Sequence, residues 1–159
     1  MRFCLLDRIL ELEPGVRVTA VKKLRPDEQY LQDHFPRFPV MPGVLMLEAM
    51  YQASAWLVRQ SEGFANSIVL LKEARNIKYA DFVTPGKELV VMAEILKDDE
   101  SLTTLKTQGL IDGNVAVNGR LVLERFNLAD RYPPRRNTDP YLRDEMRGVL
   151  KRLLQAPKH

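Results

Sequence analysis

The sequence predicts an α+β fold in which an antiparallel sheet wraps around one long buried helix. Segments with strand-like alternation of apolar and polar residues lie on both sides of a single apolar stretch, residues 44–58. That stretch is apolar on every helical face, which is typical of a helix buried in a core. Turn residues separate the alternating segments closely enough to favour antiparallel neighbours.

The chain opens with two predicted strands. Residues 5–24 alternate in hydropathy on either side of the turn sequence Glu13-Pro14-Gly15. The alternation assigns one face to apolar side chains and the other to polar ones. The apolar face is predicted to comprise Val16, Val18, Ala20 and Leu24, and the polar face Arg17, Thr19 and Lys23.

Residues 26–42 are predicted to form a stiff loop that leads into the buried helix. Prolines recur there at every third position from residue 36 to residue 42, and each restricts the backbone of the residue before it. Pro42 suits the first turn of the helix, and Gly63 suits its end. The helix itself, Val44–Val58, is shorter than the roughly 20 apolar residues of a membrane span, and it contains Glu48.

Beyond the helix, from Ile68, the sequence predicts about four further strands. Three turn sequences separate them: Pro85-Gly86, Asp98-Asp99-Glu100 and Asp112-Gly113. We read the Asn118-Gly119 pair as strand, because Val115, Val117, Leu121 and Leu123 continue one alternation through it. One sheet covers only one side of a helix that is apolar all round, so a second subunit is predicted to cover the rest.

The composition changes at the C-terminal end, which divides the chain into a main domain, 1–129, and a basic segment, 130–159. Within that segment, residues 131–137 are predicted to be a linker, and Thr138-Asp139-Pro140 is predicted to start a helix with proline at its first position. The helix has an apolar stripe and a basic one. The apolar stripe comprises Leu142, Met146, Val149, Leu150 and Leu153, and the basic stripe Arg143, Arg147 and Lys151.

The net charge of +3 is unevenly distributed, with −1 on residues 1–129 and +4 on residues 130–159. A nearly neutral main domain argues against nucleic-acid binding, which requires a basic face on the domain itself. The basic segment is a candidate for recruiting an acidic partner. The alternative is that its apolar stripe simply packs the helix onto the main domain.

Cysteine and histidine are scarce, which limits the kinds of site that the chain can form. Cys4 is the one cysteine, so no disulfide framework or multi-thiolate metal site is expected, and Cys4 itself is predicted to lie in the core. The two histidines, His34 and His159, exclude a histidine-rich metal centre. No signal peptide is recognisable, so a cytoplasmic location is expected.

Two residues stand out as candidates for proton transfer. His34 precedes the proline-rich loop, and Glu48 lies in the middle of the apolar helix. A carboxylate there is costly to bury, so Glu48 should be paired or should have a raised pKa. Gln52, one helical turn further on, can hydrogen-bond to Glu48. Gly43 lies at the helix N-terminus, where free N–H groups favour a developing negative charge.

The central part of the sequence resembles the signature of a known family. The residues that carry the resemblance are His34-Phe35-Pro36-Arg37-Phe38-Pro39-Val40-Met41-Pro42-Gly43-Val44-Leu45, then Leu47-Glu48-Ala49-Met50 and Gln52. They resemble the β-hydroxyacyl-acyl carrier protein dehydratases, which are hotdog-fold enzymes of fatty acid synthesis. The similarity extends from about Phe3 to Leu128, although Arg37 occupies a position where the family usually has glycine.

The resemblance implies a role for each matched residue. His34 falls on the catalytic histidine and Glu48 on the catalytic acid. Gly43 falls on the residue whose amide holds the thioester carbonyl. Gln52 falls on the residue that orients the acid, and the carbonyl of Val40 on the group that orients the histidine. In the family the histidine and the acid come from different subunits, so the resemblance implies a dimer or a trimer of dimers.

The predicted activity is therefore that of a hydro-lyase without metal or cofactor. It converts a (3R)-hydroxyacyl thioester on the phosphopantetheine arm of acyl carrier protein to the trans-2-enoyl thioester. Two alternatives stay open from the sequence. One is another acyl-thioester enzyme on the same fold, such as a thioesterase, and the other is a non-catalytic subunit that binds the carrier.

Overall fold

The protein is described here from a computed structural model, which covers residues 4–33, 37–135 and 137–156. Across these ranges the chain forms one antiparallel sheet and a long central helix, followed by a second long helix. The strands are β1 (Arg8–Glu13), β2 (Arg17–Lys23), β3 (Ile68–Tyr79), β4 (Glu88–Asp98), β5 (Leu102–Ile111) and β6 (Asn114–Phe126). The helices are α1 (Gln29–Asp33), α2 (Gly43–Ser61), α3 (Leu128–Arg131) and α4 (Thr138–Gln155), with a 3₁₀ turn at Pro133–Arg135.

The sheet has the strand order β1-β2-β4-β5-β6-β3, and all its pairings are antiparallel. Helix α2 packs against one face and contacts every strand. Its C-terminal half supplies fully buried side chains such as Trp56 and Leu57. The predicted α+β architecture, with an antiparallel sheet around one long buried helix and an added C-terminal helix, is confirmed.

The two ends of α2 differ in how well the chain covers them. Residues 52–59 are all buried, whereas Val44 is 68% exposed and Leu45, Leu47 and Tyr51 are only partly buried. Apart from the last turn at Gln60 and Ser61, the open side of the helix therefore lies in its N-terminal half. This refines the sequence prediction, which left one whole side of the helix without cover.

Most of the predicted turns are confirmed, including those at residues 14–15, 85–86, 98–100 and 112–113. Gly63 ends α2 as predicted: its φ is +64°, and the next amide, of Phe64, donates to the carbonyl of Arg59 at 2.8 Å. Strand β6 runs through Asn118-Gly119 without a turn. The close approach of β3 explains the glycine there, since a Cβ at Gly119 would lie 2.3 Å from Ile77 Cδ1.

Four details of the sequence prediction are wrong. Val16 is exposed because it belongs to the β1–β2 turn, where its amide donates to Glu13. Val115 is exposed because the β5–β6 register shifts beside it, which turns its side chain away from the core. Cys4 is exposed as well. The stiff loop contains helix α1, whose five residues are too few to show helical periodicity in the sequence.

Strand β3 lies at one edge of the sheet and pairs with β6 alone. It has 12 residues, and nearly all of them are exposed or only partly buried. Long exposed edge strands present unpaired N–H and C=O groups, and natural proteins normally cover or disrupt them. The free edge of β3 and the open half of α2 are thus two surfaces that the single chain leaves uncovered.

The C-terminal helix is an integral part of the core. Val149, Leu150 and Leu153 are buried in the same cluster as Leu5 and Ile9, and α4 packs against β1. The helix begins at Thr138, so Pro140 occupies its third position rather than the predicted first one. Asp139, the second helical residue, is buried and accepts hydrogen bonds from the amides of Leu128 and Ala129 at the start of α3.

Candidate functional site

The candidate site is built around the N-terminus of α2. Pro42 is the N-cap residue, and because it has no side-chain donor or acceptor it makes no capping hydrogen bond. Its carbonyl accepts from the amides of Leu45 and Met46, at 2.9 and 3.2 Å. Gly43 is the first helical residue, so its N–H has no acceptor within the helix. The N-terminus of α2 therefore presents free backbone N–H groups and the positive end of the helix dipole.

Glu48 is held by Gln52, as the one-turn spacing predicted. Gln52 Nε2 donates to Glu48 Oε1 at 3.0 Å. The opposite end of the same amide is also fixed, since Gln52 Oε1 accepts from the backbone N–H of Leu5 at 2.9 Å. Gln52 is only 3% exposed, whereas Glu48 is partly buried. A carboxyl group is thus oriented at the border between the core and the open side of α2.

A contact that the sequence analysis missed lies at Gly43. Tyr79, the last residue of β3, donates its hydroxyl proton to the carbonyl of Gly43 at an O···O distance of 3.0 Å. The ring lies so close that a Cβ on residue 43 would be 3.1 Å from two of its carbon atoms. These residues are 36 positions apart, and no sequence pattern connects them.

Val40 is buried at the same place, and the next residue, Met41, donates its N–H to the carbonyl of Val83 at 2.9 Å. The role expected for the Val40 carbonyl is to orient His34. His34 lies outside the residues that the structure describes, so this pairing stays a prediction. Arg37 is exposed.

A pocket of about 260 Å³ opens beside the helix N-terminus. It is lined by Val40, Met41, Gly43, Met46, Tyr79, Asp81 and Phe82. Phe82, one of the lining residues, forms an edge-to-face pair with Phe38, with ring centroids 5.7 Å apart, and both residues are more than half exposed. The structure therefore brings Val40 and Gly43 to one apolar pocket, with the Glu48–Gln52 pair further along the same helix.

This arrangement suits acid–base chemistry on an acyl group. Backbone donors at the start of a helix can stabilise an oxyanion that develops from a carbonyl. A partly buried carboxyl held by an amide can transfer a proton.

Among the described residues, no helix is both long and apolar enough to cross a membrane.

Comparisons with known proteins identify the family. A family model described as "FabA-like domain" matches residues 1–124. The 3-hydroxyacyl-[acyl-carrier-protein] dehydratase FabZ of Ruminiclostridium cellulolyticum is 38% identical over 119 residues, which cover 75% of this chain and 84% of that protein. The FabZ protein of Listeria monocytogenes is 33% identical over 128 residues, which cover 80% and 87% of the two chains.

Solved structures share the fold at lower identity. The dehydratase heterocomplex ApeI:P from Xenorhabdus doucetiae matches with a TM-score of 0.66 and 22% identity, over 80% of this chain and 86% of that one. The PaaI protein of Escherichia coli matches with a TM-score of 0.59 and 9% identity, over 75% and 78%. These matches confirm the predicted hotdog fold, and together with the relatives above they show that the chain belongs to the FabA-like family of dehydratases.

Proposed function

We propose that the protein is a hydro-lyase that dehydrates (3R)-hydroxyacyl groups on acyl carrier protein during fatty acid or related acyl-chain biosynthesis. The observation that carries the proposal is the 38% identity to a FabZ dehydratase over 75% of the chain. The geometry supports it, because the helix N-terminus, the apolar pocket and the Glu48–Gln52 pair match the needs of the reaction.

In the proposed reaction His34 removes the proton from C2 of the thioester. Glu48 protonates the hydroxyl that departs from C3, so that water leaves and the C2–C3 double bond forms without any redox change. The N–H of Gly43 stabilises the negative charge on the thioester oxygen. Each positioned acid or base typically contributes about 10²–10⁴-fold, and an oxyanion donor about 10²–10³-fold.

The proposed active unit is a dimer, or a trimer of dimers, with His34 and Glu48 contributed by different subunits. Two observations support it. The N-terminal half of α2, which carries Glu48, is the half that the single chain leaves open. Strand β3 leaves a free edge, to which a second chain could add its own β3 and extend the sheet.

The proposed partner is acyl carrier protein with its phosphopantetheine-linked substrate, and the proposed location is the cytoplasm. Recruitment of the carrier by the basic C-terminal segment stays a prediction. Helix α4 lies near the C-terminal end of α2, where Arg147 contacts Phe64 and the carbonyl of Gly63. Because α2 has 19 residues, that end is about 27 Å from Gly43.

The decisive experiment is incubation of the purified protein with short and long (3R)-hydroxyacyl carrier proteins, followed by mass spectrometry of the carrier. Loss of one water, with the thioester intact and a trans-2-enoyl product, is the expected result. Release of free acid would instead indicate a thioesterase. No turnover at any chain length would contradict the proposal and favour a non-catalytic subunit. The Glu48→Gln variant is the matched control.

The recruitment prediction can be tested in the same assay by reversing charge rather than by truncation. Lys151→Glu with Arg152→Glu changes two exposed positions and leaves the buried face of α4 intact. Recruitment by the segment predicts a raised KM for carrier-bound substrate, with a weaker dependence on salt. An unchanged KM would assign α4 to packing alone.

A further inference from the structure

The start of α2 is held from outside the helix. Its N-cap residue is a proline, which makes no side-chain bond to the free amides of the first turn. Most helices have a Ser, Thr, Asp or Asn at this position, whose side chain fixes the first turn locally. In this protein the N-terminus of α2, which carries the proposed oxyanion donor, has no side-chain cap.

Residues 79–83 supply two contacts in its place. The Tyr79 hydroxyl donates to the carbonyl of Gly43, and the carbonyl of Val83 accepts from the amide of Met41. The two bonds hold the chain on both sides of Pro42. The bond between Met41 and Val83 joins backbone atoms and does not depend on their side chains. The bond between Tyr79 and Gly43 requires a hydroxyl at residue 79.

The Tyr79 side chain is 50% exposed in the single chain, but the backbone of Tyr79 is well fixed. It ends β3, where it pairs with Val117 of β6, and the next amide, of Ala80, donates to the carbonyl of Ala116 at 2.7 Å. A tyrosine hydroxyl keeps its proton at neutral pH, and burial raises the pKa of Tyr79 further, so the group stays a donor. The sheet is thus a rigid support from which the hydroxyl reaches the helix.

Contact with the Tyr79 ring also restricts which side chain residue 43 can carry. A Cβ there would lie 3.1 Å from two ring carbons, which is closer than ordinary van der Waals contact. With glycine at residue 43, the ring can approach the helix start closely enough for the hydroxyl to reach the carbonyl. A side chain at residue 43 would have to displace the Tyr79 ring.

From this geometry we infer that Tyr79 is a positioning residue for the reaction: through the Gly43 carbonyl it fixes the helix N-terminus whose amide faces the thioester oxygen. The inference rests on the proposed function of Gly43. It predicts that loss of the hydroxyl affects the transition state more than substrate binding, because the oxyanion charge develops only as the reaction proceeds.

The test is the Tyr79→Phe variant, which keeps the ring and removes only the hydroxyl. We expect kcat to fall by about three- to tenfold, the range for one hydrogen bond of ordinary strength, with KM changed less than twofold. Thr107→Val is the matched control, because the Thr107 hydroxyl also donates to a backbone carbonyl, that of Gly119, at 3.1 Å, within the sheet. That variant should lose similar thermal stability while it keeps kcat.

A double-mutant cycle supplies a second readout. Gly43→Ala should lower kcat through its clash with the ring, and Tyr79→Ala should relieve that clash, so the double variant should be less impaired than the sum of the single effects. A kcat for Tyr79→Phe equal to that of the wild type, or equal losses of kcat in Tyr79→Phe and Thr107→Val, would overturn the inference. An inactive wild-type protein would instead count against the proposed function itself.

Discussion

Gln52 links Glu48 to the N-terminal segment of the chain: one end of its amide donates to the Glu48 carboxylate, and the other accepts from the N–H of Leu5. Because the Leu5 amide is a donor, it must face the amide oxygen, which leaves the Gln52 nitrogen to face Glu48. The orientation of the amide is thereby determined, and with it the rotamer of the proposed acid. Leu5 makes this contact through its backbone alone.

The Gln52→Leu substitution tests this link. It removes the hydrogen bond to Glu48 and leaves the Leu5 amide without its partner, so we expect kcat to fall by about ten- to hundredfold. The free energy of unfolding should fall by about 1–3 kcal/mol, as for an unsatisfied buried donor. Gln60→Leu, an exposed position on the same helix, is the control and should change neither quantity measurably. Full activity in Gln52→Leu would show that Glu48 needs no such support.

The acid–base assignment predicts that His34→Ala and Glu48→Gln each lower kcat by at least about 10²-fold without unfolding the protein. Steady-state kinetics with a carrier-bound substrate, together with circular dichroism, checks both parts. Activity close to that of the wild type in either variant would remove that residue from the mechanism.

A shared site predicts complementation between the two inactive variants. Heterodimers of His34→Ala and Glu48→Gln chains contain one site with both groups intact, so statistical mixing should restore roughly a quarter of the wild-type activity. If both groups of a site came from one chain, every site in the mixture would lack one group, and no activity would return. Refolding the variants together and separately distinguishes these outcomes.

The free edge of β3 and the open half of α2 predict that the protein is at least a dimer. Size-exclusion chromatography with light scattering at micromolar concentration should give a mass of at least twice the 18.3 kDa of the chain. Burial of Val44, which is 68% exposed in the single chain, is the physical reason. A measured mass of 18.3 kDa would argue against a shared site.

Asp139 predicts a pH dependence of stability. Burial alone would raise the pKa of this carboxyl, but the hydrogen bonds from Ser67, Ala129 and Leu128 outweigh that effect and lower the pKa below its ordinary value of 3.8. The native state therefore favours the ionised form. Its contribution to stability is complete above the unfolded pKa, and it is lost as the pH falls through the lower folded pKa.

Thermal unfolding of the Asp139→Asn variant checks this. The asparagine amide would present an N–H₂ group toward the backbone N–H groups of Leu128 and Ala129, so the melting temperature of the variant should be lower than that of the wild type at pH 7. The difference in melting temperature should shrink below about pH 4, because the wild-type carboxylate then becomes protonated. Asp144→Asn, which changes a largely exposed carboxylate on the same helix, should melt like the wild type at both pH values. A difference for Asp139→Asn that does not depend on pH would contradict the assignment.

The elements that the sequence predicted well are those with local signals. The buried helix, the two-residue turns and the end of α2 at Gly63 each depend on residues that are close together in the chain. Glu48 and Gln52 were connected in the same way, since they are four residues apart on one helix. The helix start at Gly43 was recognised for its free amides, which are a property of every helix.

Contacts between distant segments could not be predicted in this way. Tyr79 reaches Gly43 across 36 residues, and Leu5 reaches Gln52 across 47, through a sheet whose strand order has no signature in a single sequence. Asp139 looked like an ordinary residue of a helix start, because its partners Leu128 and Ala129 are 11 and 10 residues away and no sequence pattern connects them to it. Val115 was misplaced by a register shift, which alternation alone does not reveal.

The strand order also affects how the protein is made. Tyr79, the last residue of β3, is added to the growing chain 47 residues before Phe126, the last residue of the strand with which β3 pairs, β6. At about 5–20 residues per second, β3 waits roughly 2–9 seconds for its neighbour during synthesis. Through that interval the nascent chain presents an unpaired strand on both edges, the kind of segment that chaperones bind and that associates with other copies. We expect slower translation after residue 79 to reduce the soluble yield, and co-expressed holdase chaperones to restore it.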